Sequence, residues 1–354
     1  MSEFLASKYA GLSPYVPGEQ PRDRAYVKLN ANETSVPPCS GVAQALADPA
    51  LAAGLGRYAD PHCMALRKAV AQKYGLDASE VFCGNGSDEV LGFLLLTFCE
   101  QGSRISFPDI TYGFYRDFSA TQGLAWTQIP LRDDFTLDVE AFAAFDGMVV
   151  FPNPNAPTGL AISCDDVVRI ADAHPERLVI VDEAYVDYGN ESCAPLVRKH
   201  RNLVVVHTMS KSRNLAGAHI GWCLAQADLI QDLNDIKFSF NPFNLSAPTM
   251  AIGIAALEDE EYFRKCTTTI CETRDRTIRT LEDMGFTVLP SATNFVFATH
   301  PSLPATEWCA RLREAGVLTR YYNAPRIDNW LRVTVGTPEE MDVFLRETRR
   351  ILGL

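Results

Sequence analysis

The segment LVVVHTMSKSRNLAGAHIGWCL, residues 203–224, carries the strongest indication of both fold and chemistry in this sequence. The run LVVVH at its start predicts a buried strand, and IGWCL at its end predicts a second one. Between them, Thr208, Ser210 and Lys211 fall on a turn rich in small residues. A lysine that forms an imine must be partly neutral, which burial and neighbouring positive charge favour. The two hydroxyls can hydrogen-bond a phosphate. An ordinary exposed loop lysine is the alternative.

The chain on either side of this segment predicts an α/β fold. From about residue 40 to 240, helical stretches such as MALRKAVAQKYG alternate with short apolar runs, namely RISF, MVVF, LVIVD, LVVVH and IGWCL. Alternation of this kind is typical of βαβ units and a mostly parallel sheet. We therefore expect an N-terminal arm at 1–39 and a large domain at 40–245.

The pattern changes after residue 245. Residues 246–284 read as nearly all helical, with one break around 258–261. The strand-like TNFVFATH, VLTRYY and LRVTVG follow, together with the helix-like TEWCARLREAG and a closing helix from Glu339. We expect a smaller α+β domain at 246–354, completed by the N-terminal arm.

Composition narrows the classes of function. The 354 residues are 47% hydrophobic and 21% charged, which is ordinary globular usage, and the length favours two domains. The formal net charge of −12 disfavours nucleic acid and anionic membranes as partners. Small-molecule substrates are expected instead.

Cysteine usage and hydropathy favour a cytoplasmic enzyme. The ten cysteines form no CxxC pair and no Cys/His cluster with zinc spacing, so no metal site is predicted. Reduced thiols are expected in a chain of this length without an export signal. The N-terminal residues lack a basic segment followed by an apolar one. The longest apolar stretch, Val90 to Cys99, is far shorter than the roughly 20 residues that cross a bilayer.

The segment VDEAY, residues 181–185, supplies an acid at a strand end. Asp182 closes the apolar run LVIVD, at the edge where α/β sheets collect their ligands. An ionised carboxylate beside a pyridine nitrogen keeps that nitrogen protonated and makes the ring an electron sink. Tyr185 can offer its phenol to a ring oxygen. A turn or helix-capping aspartate is the ordinary alternative.

The segment GNGSDEV, residues 84–90, resembles a phosphate cradle. Gly84 and Gly86 allow close backbone approach, and Ser87 with the following helix N-terminus makes an anion site. The third glycine of a dinucleotide fingerprint is missing.

Three further side chains are candidates for the same site. Tyr112 in PDITYGFY can lie flat against an aromatic cofactor. Arg332 in LRVTVG and Arg320 in VLTRYY can hold a carboxylate or a phosphate in bidentate fashion. Surface salt bridges are the alternative for both arginines.

Taken in order, these segments resemble the fold-type I, pyridoxal phosphate (PLP)-dependent aminotransferases of class I/II, and within them the histidinol-phosphate aminotransferase subfamily. The resemblance runs nearly end to end. Its motifs here are YVPG, KLNANE, RYADP, GNGSDEV, PDITYGFY, NPNAPTG, VDEAYVDY, SKSRNLAGAHIGW, KFSFNPFN, TNFVFA, VLTRYY and LRVTVGT.

The resemblance implies the roles of the residues above. Lys211 would hold pyridoxal 5′-phosphate as a Schiff base and move the proton at the substrate α-carbon. Asp182 would pair with the pyridine nitrogen, and Tyr185 would hydrogen-bond the ring oxygen. The other implied cofactor-binding residues are Gly86, Ser87, Asp88, Tyr112 (stacked on the ring), Asn155, Thr208, Ser210, His219 and, from the partner subunit of a homodimer, Tyr58. The implied substrate-binding residues are Arg332, Arg320, Tyr15 and Asn32.

The sequence departs from the family pattern at two of these positions. His219 stands where relatives have an arginine that grips the cofactor phosphate. Arginine stays charged, whereas histidine has a reference pKa of about 6.5. We therefore expect weaker cofactor retention that falls as the pH rises, unless Arg213 substitutes. Ala156 replaces an asparagine that binds the ring oxygen, so either Asn155 takes its place or Tyr185 makes that contact alone.

The reaction implied by the resemblance is a ping-pong transamination. L-histidinol phosphate and 2-oxoglutarate would give imidazole acetol phosphate and L-glutamate, a step of histidine biosynthesis. An aromatic amino acid aminotransferase and a decarboxylase of a phosphorylated amino acid remain as alternatives on the same scaffold. A PLP-binding regulator or a nucleotide-binding protein using GNGSDEV is the alternative from another class, although no DNA-binding helix or basic face supports it.

Overall fold

A computed structural model of the protein describes residues 2–9 and 17–354. The described helices are α1 (Ser40–Leu46), α2 (Pro49–Gly54), α3 (Met64–Tyr74), α4 (Gly86–Phe98), α5 (Phe114–Gln122), α6 (Val139–Ala144), α7 (Cys164–Ala173), α8 (Ala227–Phe240), α9 (Ala247–Glu258), α10 (Glu260–Asp283), α11 (Ala305–Glu314) and α12 (Pro338–Leu352). The strands are β1 (Val27–Lys28), β2 (Val81–Asn85), β3 (Arg104–Pro108), β4 (Ala125–Ile129), β5 (Met148–Pro152), β6 (Val179–Asp182), β7 (Leu203–Thr208), β8 (Ile220–Leu224), β9 (Thr287–Val288), β10 (Phe295–Thr299), β11 (Val317–Leu318), β12 (Arg320–Tyr321) and β13 (Leu331–Thr334).

A seven-stranded sheet of order β2-β8-β7-β6-β5-β3-β4 forms the centre of the molecule. Strand β8 runs antiparallel to both of its neighbours, and the remaining pairs are parallel. The predicted α/β fold with a mostly parallel sheet is therefore confirmed. Every residue of β5, β6, β7 and β8 is buried, as expected of strands covered on both faces.

Alternate residues of β7 contribute to two different hydrophobic cores, because successive side chains of a strand point to opposite faces. Leu203 and Val205 lie in the core that also contains Leu66 of α3. Val204 and Val206 lie in the core on the other face, with side chains of α4 and α8. The apolar run LVVVH, residues 203–207, thus lies in the middle layer of the molecule, the central sheet, with helices packed on both of its faces.

A second, four-stranded antiparallel sheet has the order β12-β13-β10-β9. The predicted strand VLTRYY is divided there. Val317 pairs in parallel with Val27 of β1, whereas Arg320 pairs with Arg332 of β13. The break falls at Thr319, and the single continuous strand expected from the sequence is wrong. The N-terminal arm contributes β1 to this part of the protein.

The helical stretch after residue 245 packs in two places. Met250, Ile252 and Ala256 of α9 belong to the core of the central sheet, whereas Ile270 and Leu281 of α10 belong to the core of the four-stranded sheet. The domain limits at 39 and 245 stay predictions. No helix among the described residues is long and apolar enough to span a membrane.

Candidate active site

Nine of the predicted site residues meet at the carboxyl ends of the parallel strands. Asp182 is the last residue of β6 and Thr208 is the last of β7, so both side chains reach the same edge of the sheet. A cavity of about 240 Å³ opens there. The predicted residues that line it are Ser87, Asp88, Tyr112, Asp182, Tyr185, Thr208, Ser210, Lys211 and His219.

Asp182 is a buried carboxylate with its oxygens held in place. The Tyr115 hydroxyl donates to one oxygen at 2.8 Å, and the Ala184 N–H donates to the other at 3.1 Å. Burial raises the pKa of Asp182 to about 6, against the lowering effect of these two hydrogen bonds. The carboxylate is therefore largely ionised at neutral pH. Tyr115 cannot be singled out from the sequence, since a tyrosine near the start of a helix carries no distinguishing pattern.

Tyr185 and Lys211 lie on another wall of the cavity. The Lys211 Nζ is 5.9 Å from the centroid of the Tyr185 ring. The Asn32 amide donates to the Tyr185 hydroxyl at 2.8 Å, and the Thr334 hydroxyl donates to the Asn32 Oδ1 at 3.1 Å. Asn32, predicted to contact substrate, thus also orients the tyrosine. Thr334 was missed because its partner is distant in sequence.

The anion cradle consists of the α4 N-terminus and the turn after β7. Gly86 has φ +80°, a conformation that favours glycine. A Cβ at Gly221 would lie 2.4 Å from the Ser87 backbone nitrogen. Strand β8 therefore approaches the first turn of α4 so closely that only a residue without a Cβ fits there. The Ser210 N–H donates to the Thr208 hydroxyl at 3.1 Å. His219 lies beside Gly86, with its Nδ1 3.0 Å from where a Cβ there would be.

A second cavity of about 250 Å³ adjoins the first and shares Tyr112, Tyr185 and Lys211 with it. Arg320 and Arg332 both line it, as does Asn32. The two arginines are directly opposite each other in the β12–β13 ladder, so their side chains leave the same face of the sheet.

This pair of arginines is expected to destabilise the sheet, because like charges directly opposite each other across a ladder repel. The Arg332 Nη2 donates to the Asn30 carbonyl at 3.0 Å, but its buried Nε finds no hydrogen-bond partner within residues 2–9 and 17–354. An anion in this cavity would satisfy the nitrogen and relieve the repulsion.

Asn155 lies away from both cavities. The Asn155 amide donates to the Ile110 carbonyl and the Thr158 hydroxyl, each at 3.0 Å, and its oxygen accepts from Thr111 at 2.9 Å. Its polar atoms are already satisfied, so the predicted cofactor contact of Asn155 has no support in this geometry. Ala156 lines both cavities instead.

Arg213 does not substitute for the missing phosphate-binding arginine. Its guanidinium donates to the Ala256 carbonyl at 2.7 Å, pairs with Glu260 and lies 3.7 Å from the centroid of the Phe263 ring. These contacts point it away from the cavity, which leaves His219 as the basic residue beside Gly86.

Tyr58 lies outside the chain's own site. Tyr58 is 84% exposed and stacks on Phe243, with ring centroids 4.4 Å apart. Tyr15 lies outside the described residues.

The donors and acceptors around the first cavity fit pyridoxal 5′-phosphate. A helix N-terminus with three hydroxyls offers hydrogen bonds to a phosphate, and a buried carboxylate suits a protonated ring nitrogen. Lys211 lines the same cavity. These groups surround one space of about 240 Å³, which is why a single compact ligand with an acidic and a basic end fits them.

Comparison with known proteins agrees with this geometry. The family model "Aminotransferase class I and II" matches residues 24–347. Histidinol-phosphate aminotransferases from Clostridium botulinum and Brachyspira hyodysenteriae are 43% and 40% identical, each over 353 residues and at least 99% of both chains. A crystal structure of histidinol-phosphate aminotransferase from Sinorhizobium meliloti, in complex with pyridoxal-5′-phosphate, superposes with a TM-score of 0.85 at 27% identity, covering 93% of this chain and 92% of that one. This chain belongs to the class I and II aminotransferases.

Proposed function

We propose that this aminotransferase converts L-histidinol phosphate and 2-oxoglutarate into imidazole acetol phosphate and L-glutamate, within histidine biosynthesis. The observation that carries the proposal is the opposed pair Arg320 and Arg332 in the cavity next to Lys211. Histidinol phosphate carries a phosphate and 2-oxoglutarate carries two carboxylates, and such a pair can bind these anionic groups in turn. The full-length similarity to histidinol-phosphate aminotransferases supports the same substrate.

The cofactor in this proposal is pyridoxal 5′-phosphate. When bound, it supplies an aldehyde for the substrate amine and an electron-poor ring that makes the substrate α-proton labile. Ser87, Thr208, Ser210 and His219 would hold its phosphate, aided by the α4 N-terminus.

Asp182 and Tyr185 would set the electronic state of the site. The ionised Asp182 would favour a proton on the pyridine nitrogen, and burial makes that attraction stronger than it would be in water. The hydrogen bond from Tyr115 keeps the carboxylate oriented. Tyr185, already positioned by Asn32, would face the ring oxygen in place of the amide missing at Ala156.

Lys211 would act as the acid and base of the reaction. Its amine lines both cavities, so it can accept a proton from a substrate α-carbon in the second cavity and return it on the cofactor side. One site would serve the amine donor and the oxo acid in succession, which gives ping-pong kinetics.

We further propose a cytoplasmic homodimer. Tyr58, Phe240 and Phe243 are exposed aromatic residues, and Phe238 beside them is 38% exposed. Such a patch is typical of an interface between protein chains. The free thiols at all ten cysteines are compatible with a reducing compartment.

Single-turnover spectroscopy of the purified holoenzyme would test the proposed function. Histidinol phosphate should change the cofactor spectrum in one turnover, and 2-oxoglutarate should restore it. A faster change with phenylalanine would favour an aromatic aminotransferase. Carbon dioxide released from phosphothreonine would favour a decarboxylase. Lys211→Ala should lose the change with every substrate.

A further inference from the structure

Cys164 and Cys193 form a pair of thiols in direct contact. Their Sγ atoms are 3.3 Å apart, although the residues are separated by 29 positions in the sequence. Both are free thiols. A disulfide has an S–S distance of about 2.05 Å, so bond formation requires the two sulfurs to approach by about 1.3 Å.

The folded chain holds the two sulfurs in this position. Cys164 is the first residue of α7 and is partly exposed, whereas Cys193 is fully buried. The Cys193 N–H donates to a Glu183 oxygen at 2.6 Å, and the Ser192 hydroxyl donates to the other oxygen at 2.5 Å. Glu183 directly follows the strand β6 and is itself buried. The segment carrying Cys193 is therefore anchored to the central sheet, and its thiol stays against Cys164.

We propose that Cys164 and Cys193 are an oxidisable pair that a hydroperoxide converts into a disulfide in the native protein. The Cys164 thiolate attacks the peroxide, so that an S–O bond forms, the O–O bond breaks and water leaves after protonation. The Cys193 sulfur then attacks the Cys164 sulfur, which forms the S–S bond, breaks the S–O bond and releases a second water. Two thiols and one hydrogen peroxide thus give one disulfide and two waters.

The exposure of the two residues sets the order of these steps. An oxidant can reach the partly exposed Cys164, and the enclosed Cys193 is placed to attack it afterwards. Burial raises the pKa of Cys164, and Glu191, Glu183 and Asp165 add to this, while the contact with Cys193 lowers it. Because the thiolate is the nucleophile, oxidation is expected to be faster at pH 9 than at pH 7.

Mass mapping after mild oxidation would test the proposal. The native enzyme would be treated with hydrogen peroxide, freed of the oxidant, unfolded in excess alkylating reagent under conditions of slow thiol–disulfide exchange, and digested, so that every remaining thiol is blocked as it becomes exposed. We expect a peptide pair joined at Cys164 and Cys193, a fall in titratable thiols from ten to eight, and full reversal by dithiothreitol. Cys164→Ser should abolish the loss of both thiols, since Cys193 is enclosed.

Cys99→Ser is the matched control, because Cys99 is also partly exposed but its sulfur lies 3.7 Å from the Met148 sulfur and not against a thiol. It should leave the disulfide unchanged. The oxidised protein should also unfold at a higher temperature than the reduced protein, because the bond constrains the unfolded chain. A disulfide that forms only in denaturant, a lowered unfolding temperature, or oxidation at other cysteines while this pair stays reduced would overturn the proposal.

Discussion

The hydroxyl of Tyr115 controls the charge of the proposed acid at the centre of the site. It donates to Asp182 at 2.8 Å and lowers the pKa of this carboxyl, which burial nevertheless keeps raised at about 6. Removing a hydrogen bond to a charged group costs about 1.5–3 kcal/mol, and 1.36 kcal/mol corresponds to one pKa unit. In Tyr115→Phe the pKa of Asp182 should therefore rise by roughly one unit or more.

Protonation of Asp182 should weaken the binding of the cofactor. Below its pKa, Asp182 is protonated and no longer attracts a protonated ring nitrogen, so the affinity of the apoenzyme for pyridoxal 5′-phosphate should fall as the pH drops through about 6. In Tyr115→Phe this fall should begin at a higher pH. Tyr262→Phe loses a comparable hydrogen bond, to the Pro37 carbonyl at 2.6 Å and outside both cavities, and should keep the native profile. If cofactor affinity depended on pH in the same way in both variants, Tyr115 would not determine the pKa of Asp182.

His219 should limit how tightly the cofactor phosphate is held. It is the basic residue beside Gly86, and Arg213 is held elsewhere by Ala256 and Glu260. Since a guanidinium can bind a phosphate with two parallel hydrogen bonds and an imidazole cannot, His219→Arg should lower the dissociation constant of the cofactor by about tenfold. Fluorescence titration of the apoenzyme would measure this constant, and an unchanged value would contradict the expectation.

At the scale of elements, the close contact between β8 and α4 is what shapes the anion cradle. A Cβ at Gly221 would lie 2.4 Å from the Ser87 nitrogen and 2.5 Å from the Gly86 carbonyl carbon, so Gly221→Ala must displace the first turn of α4. We expect the affinity for the cofactor to fall by about tenfold or more, since one lost hydrogen bond to a charged group costs about 1.5–3 kcal/mol and about 1.4 kcal/mol corresponds to a factor of ten.

Gly217, in the turn that precedes β8, offers a matched control. A Cβ there would meet nothing within 4 Å, so Gly217→Ala should bind the cofactor as the native protein does. Equilibrium dialysis of the two variants would compare them directly. Equal affinities would indicate that the contact between β8 and α4 does not position the phosphate.

Arg332, in the β12–β13 ladder, should contribute to substrate binding but little to the stability of the fold. In Arg332→Ala, kcat/KM for both substrates should fall by roughly 100-fold, as expected for the loss of a bidentate charged contact. The free energy of unfolding should change by less than about 1 kcal/mol, because the lost bond to the Asn30 carbonyl is offset by relief of repulsion with Arg320.

Arg276→Ala serves as the comparison for this variant. Arg276 pairs with Asp342 at 2.6 Å on the half-exposed surface between α10 and α12. Its removal should leave the kinetics with both substrates unchanged. A fall in kcat/KM similar to that of Arg332→Ala would indicate a general effect of arginine loss rather than a specific substrate contact.

Across the whole molecule, strands and site residues could be predicted from the sequence where a local pattern determines them. The strands β5 to β8 follow from continuous apolar runs, and Asp182 and Thr208 reach one edge because both end parallel strands. Tyr115 and Thr334 could not be found in this way. Their partners are 67 and 302 residues away, and only the folded chain brings them together. The division of VLTRYY likewise depends on pairing with β1 and β13, which its residue types do not encode.

The assembly of two chains is the prediction that concerns the whole molecule. Tyr58 is exposed and stacks on Phe243 beside other exposed aromatic residues, so its proposed contact with a cofactor phosphate requires a second subunit. Sedimentation should give about twice the 39.1 kDa mass of one chain. Hybrids of the variants Lys211→Ala and Tyr58→Ala would test where Tyr58 acts.

In such a hybrid, a tyrosine that acts across the interface leaves one site with both native residues and the other site with neither. Random reassociation of equal amounts should then restore about a quarter of the native activity per chain, because about half of the dimers are hybrids with one intact site of two. Each variant assayed separately supplies the baseline. If Tyr58 acts within its own chain, no site in the hybrid is intact and the mixture should show only the average activity of the two variants.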